Sequence, residues 1–226
     1  MKILDVPYHT QRDNLLFPSS VCGTTCIAMY LGWLNKKFNK FYIQDDDKVF
    51  EALHSPEMLK RASFLEENGY SYIKDYLESK RIMNGEETDY THLNNLAVML
   101  AECGSNLTFY EFEFKMMWLT PADMIEAINE EFPIMISGCY PKTKGHFIVI
   151  CGADNDMNFI CCDPYGDFKT GYSNHNGENV VYSIKDIWTY GKNMQNSDGD
   201  HLCIRAIKKK GLFDPLIDKP PVNHWG

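Results

Sequence analysis

The sequence lacks any long hydrophobic run. Across 226 residues, no uninterrupted apolar stretch approaches the length needed to cross a bilayer, which is roughly 20 residues for a helix. The beginning, Met1 to Pro7, also lacks the apolar core of a secretory signal peptide. We therefore expect a soluble protein that has no membrane partner. The expected location is the cytoplasm of the producing cell, with release by lysis or assembly into a particle as further routes.

Positive charge is also scarce. Lys and Arg total 22 against 31 Asp and Glu, which gives a formal net charge of −9. Proteins that bind nucleic-acid backbones do so through clustered Lys and Arg, and the one basic run, Lys208 to Lys210, is short. The composition argues against a nucleic-acid partner. With 44% hydrophobic residues, the chain can bury a core of its own.

Spaced metal ligands are missing as well. The acidic run Asp45 to Asp47 has neither the spacing nor the terminal Glu of a calcium loop. Cys161 and Cys162 are neighbours on a predicted strand, so their side chains point to opposite faces and cannot easily bind one ion. We expect no metal and no cofactor. In a chain of this length, the eight cysteines are expected to be reduced and mostly structural.

The hydrophobic pattern predicts helices first and antiparallel strands later, which is an α+β fold. A broad apolar face predicts a helix over Cys22–Leu34. Thr120 and Pro121 predict the start of another helix, which runs to about Glu131. Strands are expected at 107–114, 133–139, 146–152, 158–162, 180–183 and 202–207.

We expect one domain over residues 1–211. A charged, helix-rich segment over about 45–117 is predicted to be an insertion, and residues 212–226, with three prolines, an irregular tail. Trp118 and Trp188 are predicted to anchor the core, because aromatic side chains dominate burial. The Gly-, Asn- and Tyr-rich run 166–179 is expected to form a rim over a cleft.

Cys22 lies where the opening loop meets the first predicted helix. A thiol at a helix N-terminus is close to the positive end of the helix dipole and to unpaired backbone N–H groups. Both favour the thiolate, which is the reactive form of cysteine. A buried structural cysteine is the alternative interpretation, and position alone favours it. Cys26, one turn later, is expected to be a packed core residue.

His146 and Asp163 favour a reactive role for Cys22 over a structural one. His146 begins an apolar strand after Gly145, and Asp163 follows the next predicted strand. In an antiparallel hairpin, the end of the second strand returns beside the start of the first. Asp163 is therefore predicted to lie beside the His146 ring, where a carboxylate fixes the tautomer and stabilises the charged form. Cys22, His146 and Asp163 then supply a nucleophile, a base and an orienting acid.

Gln11 is the fourth candidate, in the loop that leads to the Cys22 helix. Its side-chain amide could donate to a developing oxyanion together with the Cys22 backbone N–H. A glutamine in a loop is usually only a solvated side chain. Gln11 is a candidate only because Cys22, His146 and Asp163 are predicted to form a site.

The blocks Val6–Asn14, Val21–Met29, Gly145–Gly152, Asp163–Gly166 and Tyr182–Trp188, in this order and spacing, resemble a known family. They are similar to the papain-like cysteine peptidases of the bacteriocin-processing (double-glycine leader) family, in its stand-alone bacterial or phage type. The resemblance implies a papain-like α+β fold, with a helical half that carries the nucleophile helix and a C-terminal antiparallel half. It matches Cys22 to the nucleophile, His146 to the base, Asp163 to the orienting acid and Gln11 to the oxyanion donor.

The expected activity is hydrolysis of peptide bonds, and the expected partner is a peptide or protein substrate. A peptidoglycan stem peptide or an isopeptide bond is a further possibility within the same chemistry. The alternative is a catalytically silent module of the same fold that binds or inhibits a partner through its cleft. Selective alkylation of Cys22 would separate these two classes of function.

Overall fold

A computed structural model describes residues 1–15, 18–38, 112–143 and 145–208, together with positions 45, 47 and 49. The helices are α1 (Cys22–Phe38), α2 (Pro121–Asn129) and α3 (Ile184–Tyr190). The strands are β1 (Lys2–Ile3), β2 (Phe112–Leu119), β3 (Ile134–Gly138), β4 (His146–Ala153), β5 (Phe159–Cys162), β6 (Val180–Tyr182) and β7 (His201–Lys208). Most of the predicted insertion and the whole tail lie outside the described residues.

One antiparallel sheet organises the described part of the chain. Its strand order is β2-β7-β3-β4-β5-β6, and β1 pairs with the far end of β4, opposite Gly152 and Ala153. β4 is buried along its whole length and lies between β3 and β5. Because helices are joined to an antiparallel sheet, the predicted α+β class is confirmed.

Helix α1 covers the central strand β4. Its buried side chains include Cys26, Met29 and Leu34, spaced so that they recur on one face of the helix. The Tyr30 hydroxyl, also buried, donates to the carbonyl of Pro133 at 2.9 Å. The helix predicted for Cys22–Leu34 is confirmed and extends one turn further, to Phe38.

Helix α2 begins as the sequence predicts. The Thr120 hydroxyl accepts the Asp123 backbone N–H, and the Asp123 carboxylate accepts the Thr120 N–H, which forms a capping box. Pro121 occupies the first turn, where its missing N–H has no consequence. The helix ends at Asn129, two residues before the predicted end.

The elements differ from the predictions in three places. The strand predicted at 107–114 overlaps β2, which pairs along its whole length with β7, so residues 112–117 belong to the sheet and not to the helical insertion. Trp118, predicted as a core anchor, is 48% exposed, because strand alternation turns it away from the face that buries Leu119. Helix α3 was not predicted as an element, although Ser183 and Asp186 form a capping box at its start.

The seven cysteines within the described residues are free thiols, and all but Cys139 are buried. Among the described residues, no group of His, Cys, Asp and Glu has a metal-binding arrangement. The helices of the same residues are too short or too polar to traverse a bilayer.

Candidate functional site

Cys22 is the first residue of α1, and its side chain is 4% exposed. Val21, which precedes it, has no side-chain oxygen to cap the helix, and the first turn contains no acidic residue. The first backbone N–H groups of a helix have no intrahelical acceptor. The thiol is therefore held at the positive end of α1, in a first turn that carries no carboxylate.

His146 and Asp163 meet through the β4–β5 hairpin. Val149 pairs with Cys162, so continuing the register by one step places Asp163 opposite Ile148, on the face of the sheet that also carries His146. The His146 Nε2 and the Asp163 Oδ1 are 2.6 Å apart, and both side chains are almost completely buried. The structure thus brings these two predicted site residues together.

The charge state of His146 follows from its surroundings. Burial lowers the pKa of His146, but the Asp163 carboxylate, its hydrogen bond and a further hydrogen bond with the Cys22 thiol outweigh burial and raise the pKa to about 10. Because Nε2 is used by Asp163, Nδ1 is the ring nitrogen left to face Cys22. At neutral pH the ring is therefore an imidazolium beside the sulfur.

Asp163 is held from several sides. Its Oδ1 also accepts the Tyr165 backbone N–H at 3.0 Å, and its Oδ2 accepts the Tyr182 hydroxyl at 3.0 Å. Burial and the Asp163 charge raise the pKa of Tyr182 well above its usual value, so this hydroxyl remains a donor. The Asp163 backbone N–H donates to the Gly177 carbonyl at 2.9 Å. These contacts fix the carboxylate in the orientation that meets His146.

Gln11 is buried at 1% exposure rather than solvated. Its backbone N–H donates to the Pro164 carbonyl at 2.9 Å, next to Asp163, and its side-chain Nε2 donates to the Pro18 carbonyl at 3.0 Å, in the segment that leads to Cys22. Its Oε1 accepts no hydrogen bond from the described residues. Gln11 therefore lies between the segments that carry Cys22 and Asp163.

The opening loop is fastened to the turn after β5. The Tyr8 hydroxyl donates to the Asp163 carbonyl at 3.2 Å, and the Thr10 hydroxyl donates to the Pro164 carbonyl at 3.2 Å. The Arg12 Nε donates to the Tyr165 carbonyl at 2.8 Å, and its guanidinium lies 3.8 Å from the centre of the Tyr165 ring. We call residues 8–12 the N-terminal strap.

An open cavity of about 510 Å³ lies beside the strap. It is lined by Tyr8, Thr10, Arg12, Asp13, His175 and Asn176.

Sequence reasoning missed the aromatic side chains around His146. Three tyrosine rings surround the imidazole with centroid distances of about 6 Å: Tyr140 at 5.9, Tyr165 at 6.2 and Tyr172 at 5.9 Å. Tyr172 comes from the run 166–179, whose Gly, Asn and Tyr content was the only sequence signal for a rim. The rings form an apolar wall that excludes water from the ion pair, which strengthens its electrostatics.

Cys26 lies one turn after Cys22 and is completely buried, as predicted for a core residue. Burial, and then the charge of Cys22, raise the pKa of the Cys26 thiol well above its usual value. Two cysteines on one helix thus have different environments, because Cys22 hydrogen-bonds with His146 and Cys26 is surrounded by core side chains.

Comparison with known proteins finds one family model and a small number of solved structures that match this chain. The model of the Peptidase_C39 like family matches residues 3–193. No curated protein matches the chain. Among solved structures, a C39-like peptidase from Bacillus anthracis is 11% identical, with a TM-score of 0.51 over 93% of this chain and 100% of that one, and supports the papain-like α+β fold. The Pseudomonas avirulence protein AvrPphB is 13% identical over 91% of this chain and 96% of that one, with a TM-score of 0.27.

Proposed function

The chain belongs to the Peptidase_C39-like family, and on that premise we propose that it is a cysteine peptidase that hydrolyses peptide bonds with Cys22, His146, Asp163 and Gln11. The observation that carries the proposal is the buried His146–Asp163 contact of 2.6 Å, with an imidazole whose pKa is also raised by interaction with the Cys22 thiol. A nucleophile beside a base that is oriented by a third group is the arrangement needed for covalent acyl transfer.

The proposed reaction begins from a pair of the Cys22 thiolate and the His146 imidazolium, in which the proton of the sulfur already resides on the ring. The thiolate attacks the carbonyl carbon of the scissile bond, and the carbonyl oxygen becomes negatively charged. The Cys22 backbone N–H and the Gln11 side-chain amide stabilise this oxygen, and each such donor is typically worth about 3 kcal/mol. His146 then donates its proton to the leaving amine, and water, deprotonated by His146, releases the acyl group from sulfur.

The proposed substrate is a peptide or a protein, with peptidoglycan stem peptides and isopeptide bonds as members of the same chemical class. A cleft that only binds a partner has no need of an imidazole whose pKa is raised to about 10 beside a thiol. This contact favours the enzyme over the binding module of the same fold.

The proposal is tested with a synthetic library of peptides and peptidoglycan stem peptides, with cleavage sites identified by mass spectrometry. The parent protein is expected to cleave a subset of the library, and Cys22→Ala to cleave none of it. Cys26→Ala is the matched control, because it removes a thiol from the same helix but from the core. Equal cleavage by the parent and Cys22→Ala would overturn the proposal.

A second measurement addresses the binding alternative. Mild-acid alkylation with iodoacetamide is expected to modify Cys22 faster than the other cysteines, because the neighbouring imidazolium keeps its sulfur ionised. Uniform, slow modification of all thiols would instead indicate a protein that binds without turnover.

A further inference from the structure

Tyr172 has a hydroxyl group that the fold leaves without a partner. Its side chain is 5% exposed, and its hydroxyl oxygen is buried without a hydrogen bond to the residues that the structure describes. A buried hydroxyl without a partner is unfavourable and uncommon. Burial, followed by the charges of Asp163 and Cys22, raises the pKa of Tyr172 well above its usual value, so the group is a donor.

The position of this hydroxyl is defined by its neighbours. The Tyr172 ring meets the His146 imidazole edge-on, with centroids 5.9 Å apart, and it meets the Tyr165 ring edge-on at 5.0 Å. Its electrostatic interaction with Cys22 places it near the sulfur as well. Tyr172 therefore belongs to the wall on the imidazole side of the proposed reaction centre.

The backbone at Tyr172 adopts a conformation that a tyrosine does not favour. Its φ is 62°, in the left-handed region, and Gly171 before it has a φ of 64°. The Tyr172 N–H donates to the Asp167 carbonyl at 3.0 Å, and Lys142 Nζ donates to the Gly171 carbonyl at 2.7 Å. These bonds hold an unfavourable conformation that turns the ring inward, and such outliers concentrate at functional sites.

We propose that Tyr172 is a substrate-contacting residue, a role that rests on the peptidase function proposed above. Its hydroxyl donates a hydrogen bond to a backbone carbonyl of the peptide segment that follows the scissile bond. His146 must protonate the leaving amine, so that segment departs on the imidazole side of Cys22, which is where Tyr172 lies. The bound peptide thus supplies an acceptor that the described residues do not provide.

The test compares Tyr172→Phe with the parent on two substrates. The first is the library peptide that the parent cleaves fastest, and the second is its N-terminal half as an ethyl ester, which has no carbonyl after the scissile bond. We expect Tyr172→Phe to lower kcat/KM roughly 2- to 10-fold on the peptide, the usual effect of one lost hydrogen bond, and to leave kcat/KM on the ester unchanged.

Tyr190→Phe serves as the matched control. Tyr190 belongs to the same aromatic cluster through Phe168 at 5.3 Å, and the change again removes one hydroxyl. Both rates should be unchanged in this variant. The melting temperature separates a structural role from a substrate contact, because removing an unpartnered buried hydroxyl should leave Tyr172→Phe at least as stable as the parent.

Parent-like kcat/KM on the peptide would overturn this role, and so would an equal loss on the peptide and the ester or a lower melting temperature. None of these results bears on Cys22. Conversely, the peptidase proposal is tested by Cys22→Ala and by the alkylation of Cys22, neither of which depends on Tyr172, so the two failures are distinguishable.

Discussion

At the scale of single residues, the Asp163 carboxylate controls the protonation of His146. Its charge and hydrogen bond help to raise the pKa of His146 to about 10 against the opposing effect of burial. Asp163→Asn should therefore lower that pKa and weaken the positive charge beside the Cys22 sulfur. Alkylation of Cys22 by iodoacetamide at pH 6 should be slower in this variant than in the parent.

Asp156→Asn is the control for this charge change. Asp156 lies at the exposed tip of the β4–β5 hairpin, so its neutralisation should leave the alkylation profile as it is in the parent. If Asp163→Asn and the parent were modified equally fast at pH 6, the imidazolium would not be what activates Cys22.

The site was predictable from the sequence only in part. His146 and Asp163 are 17 positions apart and joined by one hairpin, so regular strand geometry sufficed to place them together. Tyr182 lies in the strand predicted at 180–183, but the sequence does not fix how that strand pairs with β5. Tyr172 reaches the site from an irregular segment, where no periodicity constrains a side chain. The burial of Gln11 also depends on contacts with Pro164, far along the chain, which a local pattern does not encode.

At the scale of elements, the segment between β5 and β6 requires a glycine at position 177, where it packs against Asp163. A Cβ atom on Gly177 would lie 1.9 Å from the Asp163 carbonyl oxygen, so Gly177→Ala must displace the segment that holds the carboxylate. We expect a loss of about 2 kcal/mol in the free energy of unfolding, as for other overpacked sites, and slower Cys22 alkylation at pH 6. Urea denaturation and the alkylation assay measure the two effects.

Gly199→Ala gives the comparison for this variant. Gly199 has a φ of 84° but no atom within 4 Å of an added Cβ, so its substitution costs backbone strain of about 1 kcal/mol without a clash. Cys22 alkylation should remain at the parent rate. A Gly177→Ala protein no less stable than Gly199→Ala, with normal alkylation, would show that the turn tolerates a side chain.

Elements were easiest to predict where the signal was local. The capping residues of α2 and the apolar strands β3, β4 and β5 could be read from neighbouring positions. Only the start of β2 falls in the strand predicted at 107–114, because the full extent of β2 depends on pairing with β7, about 90 residues later in sequence. Helix α3 was missed because its seven residues are too few for a clear helical periodicity.

At the scale of the whole molecule, the raised pKa of His146 makes stability depend on pH. Its pKa changes from 6.5 in an unfolded chain to about 10 in the fold. This contribution is complete below pH 6.5 and is lost as the pH rises through 10. The opposite holds for His201, because burial lowers its pKa. The contribution of His201 to the free energy of unfolding therefore diminishes as the pH falls below 6.5.

We therefore expect the free energy of unfolding to fall as the pH drops from 6.5 toward about 5, because His201 gains a proton in the unfolded chain before it does in the fold. His146 is protonated in the fold throughout this range. Urea denaturation at several pH values between about 5 and 6.5 measures the slope, and His201→Gln should reduce it. A parent protein with constant stability across this range would contradict the lowered pKa of His201.

The N-terminal strap also bears on how the protein matures during synthesis. Tyr8 and Gln11 hold the turn after Asp163, so the strap must wait for a segment that is synthesised about 150 residues later. Translation delivers the proposed nucleophile well before its proposed partners. A nascent chain consequently carries an ordinary thiol, and its proposed proteolytic power arises only once synthesis has passed the β5 turn.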